Sequence, residues 1–82
     1  MIDVMYFAWL RERIGERSEA VDTQAATVAD LVEELRARSE AHALAFSDIS
    51  AVRVALDQEL TDMDAPLAGV REVAFFPPMT GG

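Results

Sequence analysis

Apolar residues run almost unbroken from Ile2 to Trp9, with only Asp3 polar and aromatic rings toward the end, and this composition predicts a strand. Alternation along it places Ile2, Val4, Tyr6 and Ala8 on one face and Asp3, Met5, Phe7 and Trp9 on the other, so both faces are largely apolar. Leu10 to Ile14 then reads as a helical turn that Gly15 ends, because glycine accepts the positive backbone angle of a helix stop. Ser18 to Asp22 is expected to form a short second strand. Between Thr27 and Arg38 the spacing of Val28, Leu31, Val32 and Leu35 is that of a helix buried along one stripe. Thr27 is placed to cap its start, Asp30 to complement the positive end of its dipole, and Arg36 and Arg38 the negative end.

Ser39 to Ser50 carries no clear period. Ala41 to Phe46 is read as a helical turn whose Leu44 and Phe46 complete the core, and the lone His42 is given a surface or capping role. Ala51 to Asp57 alternates Val52, Val54 and Leu56 against Arg53, Ala55 and Asp57, as a half-buried strand does. Gln58 and Glu59 turn the chain into a short strand around Leu60. Val70 to Phe76 forms the last strand, with Val73 and Phe75 on one face and Glu72, Ala74 and Phe76 on the other, until Pro77 removes a backbone donor.

Strand, strand, helix, then strands describes an α+β sheet with one main helix across one face. Met5, Phe7, Trp9, Ala55, Ala74 and Phe76 gather on the face the helix leaves open, with Leu60 beside them. An apolar patch of this kind is covered either by a partner protein or by the chain itself, here by the Ser39 to Ser50 segment.

Length and charge narrow the classes of function. Eighty-two residues make one domain, which buries only about 60% of the surface its unfolded chain exposes. No stretch is long and apolar enough to predict a bilayer span or a signal peptide, so a soluble, cytoplasmic protein is expected. Fifteen acidic against seven basic residues give a net charge of −8, which argues against nucleic acid as a partner. The chain has no cysteine and no lysine. It therefore has no thiolate for sulfur chemistry or metal binding, and no side-chain amine to capture an activated carboxyl group. No base, nucleophile and metal cluster can be assembled from its side chains, so no catalytic turnover of its own and no permanently bound cofactor are expected.

The tail carries the candidate chemistry. Pro77, Pro78, Met79, Thr80, Gly81 and Gly82 follow the aromatic pair Phe75 and Phe76, dividing the chain into a domain over 1–76 and an extended tail over 77–82. The prolines favour a stiff, open segment, and six extended residues reach roughly 20 Å, enough to enter a deep cleft in another protein. The terminal glycines are thin and leave the Gly82 carboxylate approachable.

The run EVAFFPPMTGG from Glu72 to Gly82 resembles the terminal signature of the molybdopterin synthase small subunit, the sulfur carrier protein family. MIDVMYFAWLRE at Met1 to Glu12 resembles that family's first strand, and DAPL at Asp64 to Leu67 the segment before its last one. The chain departs from the family in Ala68, Gly69, Val70 and Arg71, where an acidic turn is usual, and in Asp57, where asparagine is usual. The resemblance implies a ubiquitin-like β-grasp fold with a mixed sheet. It also implies a cycle in which a ubiquitin-activating type adenylyltransferase uses ATP to adenylate Gly82, and a sulfurtransferase supplies the sulfur that turns the adenylate into a thiocarboxylate. The tail, Pro77 to Gly81, then enters the large subunit, in a two-fold heterotetramer that the resemblance also implies, and the thiocarboxylate attacks the cyclic pyranopterin monophosphate precursor. Phe7, Leu60 and Phe76 match the family's contact positions, and the resemblance favours a partner as what covers the patch. A carrier for thiamine or another thiolation route, and a ubiquitin-like protein modifier, are the competing readings.

Overall fold

The computed structural model describes residues 1–78. Five strands form one sheet in the order β2-β1-β5-β3-β4, where β1 is Ile2–Tyr6, β2 Ser18–Val21, β3 Arg53–Leu56, β4 Glu59–Thr61 and β5 Glu72–Phe76. β1 and β5 run parallel at the centre and the other pairs are antiparallel, so the sheet is mixed. The helices are α1, Trp9–Ile14, α2, Val28–Arg36, and α3, Glu40–Ala45, and a 3₁₀ turn covers Ile49–Ala51.

The apolar stripe of α2 lies where the period places it: Val28, Leu31, Val32 and Leu35 are all buried. Thr27 caps the helix, its hydroxyl accepting from the Asp30 amide at 3.3 Å, which satisfies one of the donors a helix start leaves free. Val4, Tyr6, Val54, Val73 and Phe75 meet this stripe from the sheet, each less than 2% exposed, which is the fully apolar face that alternation gives to β1 and β5.

Several boundaries and three side chains differ from the sequence expectation. β1 stops at Tyr6 because Ala8 adopts φ 55 and ψ −132, turning the chain out of the extended region. Trp9 therefore opens α1 instead of continuing the strand, and packs half-buried against the core with Arg13 5.1 Å above its ring. It is therefore not on the open face, where alternation placed it. β3 and β5 are each shorter than their periodic runs, and β2 stops at Val21. Leu44, expected in the core, is 59% exposed, since α3 turns His42 and Ala45 inward instead. His42, expected at the surface, is 7% exposed.

Phe46 is fully buried and lies edge-on to Phe75, with ring centroids 5.0 Å apart. Its position shows which way the ambiguous segment folds: α3 packs beside α1 and α2 on the core side of the sheet. Among the described residues nothing covers the opposite face.

Candidate functional site

The open face is a register of side chains across four strands. Met5 on β1 stands beside Ala74 on β5, Ala74 beside Ala55 on β3, and Ala55 beside Leu60 on β4. Directly paired residues share a face, so these four form one apolar row. Leu60 is 70% exposed at the sheet edge and Phe7 43% exposed just beyond β1, while Met5 and Phe76 are half-buried.

The tail leaves the sheet beside this row. Phe75 and Phe76 point to opposite faces, and their burial shows what each does. Phe75 is fully buried, stacked on Tyr6 at 6.4 Å between centroids and 16° between planes, and this anchors the end of β5 in the core. Phe76 is thereby presented on the open side, where it lines a groove of about 460 Å³ with Phe7, Ala8, Ala74, Pro77 and Pro78. The Phe7 amide donates to the Phe75 carbonyl at 3.1 Å, prolonging the β1–β5 pairing by one residue and holding Phe7 next to Phe76. Pro77 and Pro78 are half-buried and form the far wall. Met79, Thr80, Gly81 and Gly82 lie outside the described residues.

The hairpin that presents Leu60 depends on Asp57. Asp57 and Gln58 have φ 49 and 72, the two positive angles of a tight two-residue turn, and aspartate is among the residues that tolerate this. The Asp57 Oδ1 accepts from the Arg71 and Glu72 amides at 3.1 and 3.0 Å, tying the hairpin to the entry of β5. Only an acceptor oxygen is needed there, so aspartate does the work expected of asparagine. The other departure, Ala68 to Arg71, folds as a turn in which the Val70 amide donates to the Leu67 carbonyl at 3.0 Å and Gly69 takes φ 78.

Beneath the exit of β1 lies a polar network that sequence reasoning missed. Glu19 on β2 accepts at one oxygen, Oε2, from the Tyr6 hydroxyl and from His42 Nε2, both at 2.7 Å, and Arg38 approaches Oε1 at 3.6 Å. A carboxylate can only accept, so a neutral His42 carries its proton on Nε2 and accepts a hydrogen bond from the Ser39 hydroxyl at Nδ1, 2.7 Å away. Ser39 Oγ in turn accepts from the His42 amide at 3.1 Å and caps α3. The partners His42 and Glu19 are 23 residues apart, and no local spacing announces them.

Burial pushes the Tyr6 hydroxyl far above its ordinary range, and the hydrogen bond to Glu19 and its charge push the same way, so Tyr6 stays a donor. For Glu19 burial alone would raise the carboxyl, but the hydrogen bonds from His42 and Tyr6 and the charges of His42 and Arg38 outweigh it and hold it below 4.5. A lowered folded pKa gives stability that is fully present above 4.5 and lost as pH falls through the folded value. Glu19→Gln is accordingly expected to be less stable than the parent at pH 7, by about 1–2 kcal/mol. The gap should close as urea unfolding is repeated from pH 5 down toward pH 3. A gap independent of pH would show that the charge of Glu19 contributes nothing.

No group of His, Asp and Glu among the described residues can hold a metal ion, and no helix is long and apolar enough to cross a membrane. A five-stranded mixed sheet, a principal helix across one face, and a terminal segment leaving the central strand beside an uncovered apolar row define a ubiquitin-like β-grasp carrier. The chain belongs to the ThiS family, whose sequence model matches residues 4–82. It is similar to the molybdopterin synthase sulfur carrier subunits of Escherichia coli strain K12, at 42% identity, and Haemophilus influenzae, at 34%, over the full length of both chains in each case. Among solved structures it resembles SAMP1 from Haloferax volcanii, with TM-score 0.73 and 28% identity over 99% of this chain and 98% of that one. It also resembles a putative molybdopterin converting factor, subunit 1, from Pyrococcus furiosus, with TM-score 0.71 and 26% identity over 95% and 97%.

Proposed function

We propose that this chain is the sulfur carrier subunit of a molybdopterin synthase, docking by the row from Met5 to Leu60 and delivering sulfur held on Gly82. The observation that carries the reading is the placement of an uncovered apolar groove at the point where the tail leaves β5, in a chain alike over its full length to two such subunits.

In the proposed cycle a Gly82 carboxylate oxygen attacks the α-phosphorus of ATP inside an adenylyltransferase, and pyrophosphate leaves. The mixed anhydride is a good electrophile where the carboxylate was a poor one. Sulfide-level sulfur (hydrosulfide) delivered through a sulfurtransferase attacks its carbonyl carbon, the C–O bond to AMP breaks, AMP leaves, and a thiocarboxylate results, an anion and soft nucleophile at neutral pH. Carried into the large subunit, its sulfur attacks a carbon of the cyclic pyranopterin monophosphate and displaces an oxygen there, water then hydrolyses the acyl–sulfur bond to return the Gly82 carboxylate, and two such transfers complete the dithiolene. With neither cysteine nor lysine in the chain, no side chain competes for the sulfur or for the activated carbonyl. The adenylyltransferase and the large subunit use the same face, so they bind in turn. The setting proposed is the cytoplasm, with two copies of each subunit in the synthase.

Intact-mass measurement after incubation with the adenylyltransferase, ATP and a sulfur donor tests this. A carrier gains the mass difference of sulfur for oxygen. A ubiquitin-like protein modifier appears joined to lysines of other proteins instead. A chain that does neither overturns the proposal.

A further inference from the structure

All seven basic residues are arginines, and they are not evenly spent. Arg36 is paired with Glu33 and Arg38 with Glu19, while Arg13 lies over Trp9. Arg71 stands at the far end of the sheet, where its carbonyl accepts from the Asp3 amide. Three remain near the tail. Arg11 and Arg17 line, with Met5, Phe7 and Ser18, a hollow of about 320 Å³ that shares Phe7 with the apolar groove. Arg53 stands opposite Phe76 in the β3–β5 ladder, on the groove's other flank. Its Nη1 donates only to the main-chain oxygens of Ser50 and Val52, at 3.2 and 3.3 Å. All three are exposed, and none is ion-paired among the described residues.

The carboxylates of the open face sit at its other end. Asp3 is directly opposite Glu72, and Asp57 binds the amides of Arg71 and Glu72. Glu12 and Glu16, near Arg11 in sequence, do not line the hollow. A chain of net charge −8 thus keeps free cations on both sides of the groove from which its tail emerges. A guanidinium beside an apolar groove loses water when a partner covers it, and docking stays favourable only if carboxylates or carbonyl oxygens meet it there. The overall negative charge repels an acidic surface, so such a surface is drawn in only with the tail end leading.

We propose that the protein surface that covers the groove is apolar at its centre and carries carboxylate side chains on two sides. One set meets Arg11 and Arg17, the other meets Arg53, and together they orient the domain so that the tail points inward. The inference rests on the docking reading given above and adds the chemistry of the partner.

The test uses the full chain and the purified large subunit of the synthase from the same source. Association is followed by stopped flow across a salt series for Arg17→Glu, Arg53→Glu and the double variant. Each reversal is expected to slow association about tenfold at low salt and to flatten the salt dependence, with Arg17→Gln falling between Arg17→Glu and the parent. Melting curves should be unchanged, because both side chains are exposed. Phe76→Glu is run alongside. If it abolishes binding while the arginine variants associate at the parent rate with the parent salt slope, the carboxylate-rimmed partner is wrong and the docking face stands. If Phe76→Glu also binds normally, the docking reading itself falls.

Discussion

Removal of Gly82 is expected to leave a chain that melts like the parent and acquires no sulfur. The shortened chain still ends in a glycine carboxylate of the same intrinsic chemistry, so the loss measures position alone. One residue withdraws the reacting carbon by about 3.3 Å. A displacement of about 1 Å already costs on the order of 100-fold where reacting groups must be aligned, so the adenylation rate should fall by at least that factor. The fold should not respond, because the core is closed by residues no later than Phe75 and β5 ends at Phe76. Intact mass after the activation reaction and a thermal melt together make the measurement. Sulfur gained at the parent rate by the shortened chain would remove the tail from the mechanism.

Phe76→Glu should weaken the complex with the large subunit by more than 100-fold while the domain stays folded. Phe76 is half-buried in the free domain and forms the groove wall with Phe7, Ala74, Pro77 and Pro78. Covering such a ring contributes about 1.5–3 kcal/mol, which the substitution forfeits. The carboxylate must then be desolvated in an apolar interface, at a further cost of several kcal/mol unless it finds a partner. In the free domain the new charge stays accessible to water and lies opposite Arg53, which limits the loss of stability to about 1 kcal/mol. Isothermal calorimetry with the large subunit, paired with a melt, separates the two effects. Binding within threefold of the parent would mean that the partner meets some other surface.

Much of the architecture was readable along the chain because it is local. The stripe of α2 and its Thr27 cap follow from spacings of three and four, and the division of β5 into Val73 and Phe75 against Ala74 and Phe76 follows from alternation. The open face itself was half legible. Met5, Phe7, Leu60 and Phe76 come together as the periods suggest, whereas Trp9 does not, because a single positive φ at Ala8 ends the alternation two residues earlier. His42 was misjudged for a different reason. With no second ligand type or nucleophile near it in sequence, the lone histidine reads as a surface or capping residue, and only its meeting with Glu19 on a distant strand supplies the hydrogen bond that makes burial tolerable.

By itself, then, the order of residues settles which faces of each element are apolar, where helices start, and that two prolines, Met79, Thr80 and two glycines follow the last strand. These depend on neighbours within a turn or a pleat. Tertiary structure alone decides that α3 packs on the core side and leaves the other face open, that Arg11, Arg17 and Arg53 flank the apolar groove, and that His42 is buried. Each of these outcomes is set by contacts between segments far apart in the chain, whose free energy appears only when the sheet has closed and water has been excluded between them.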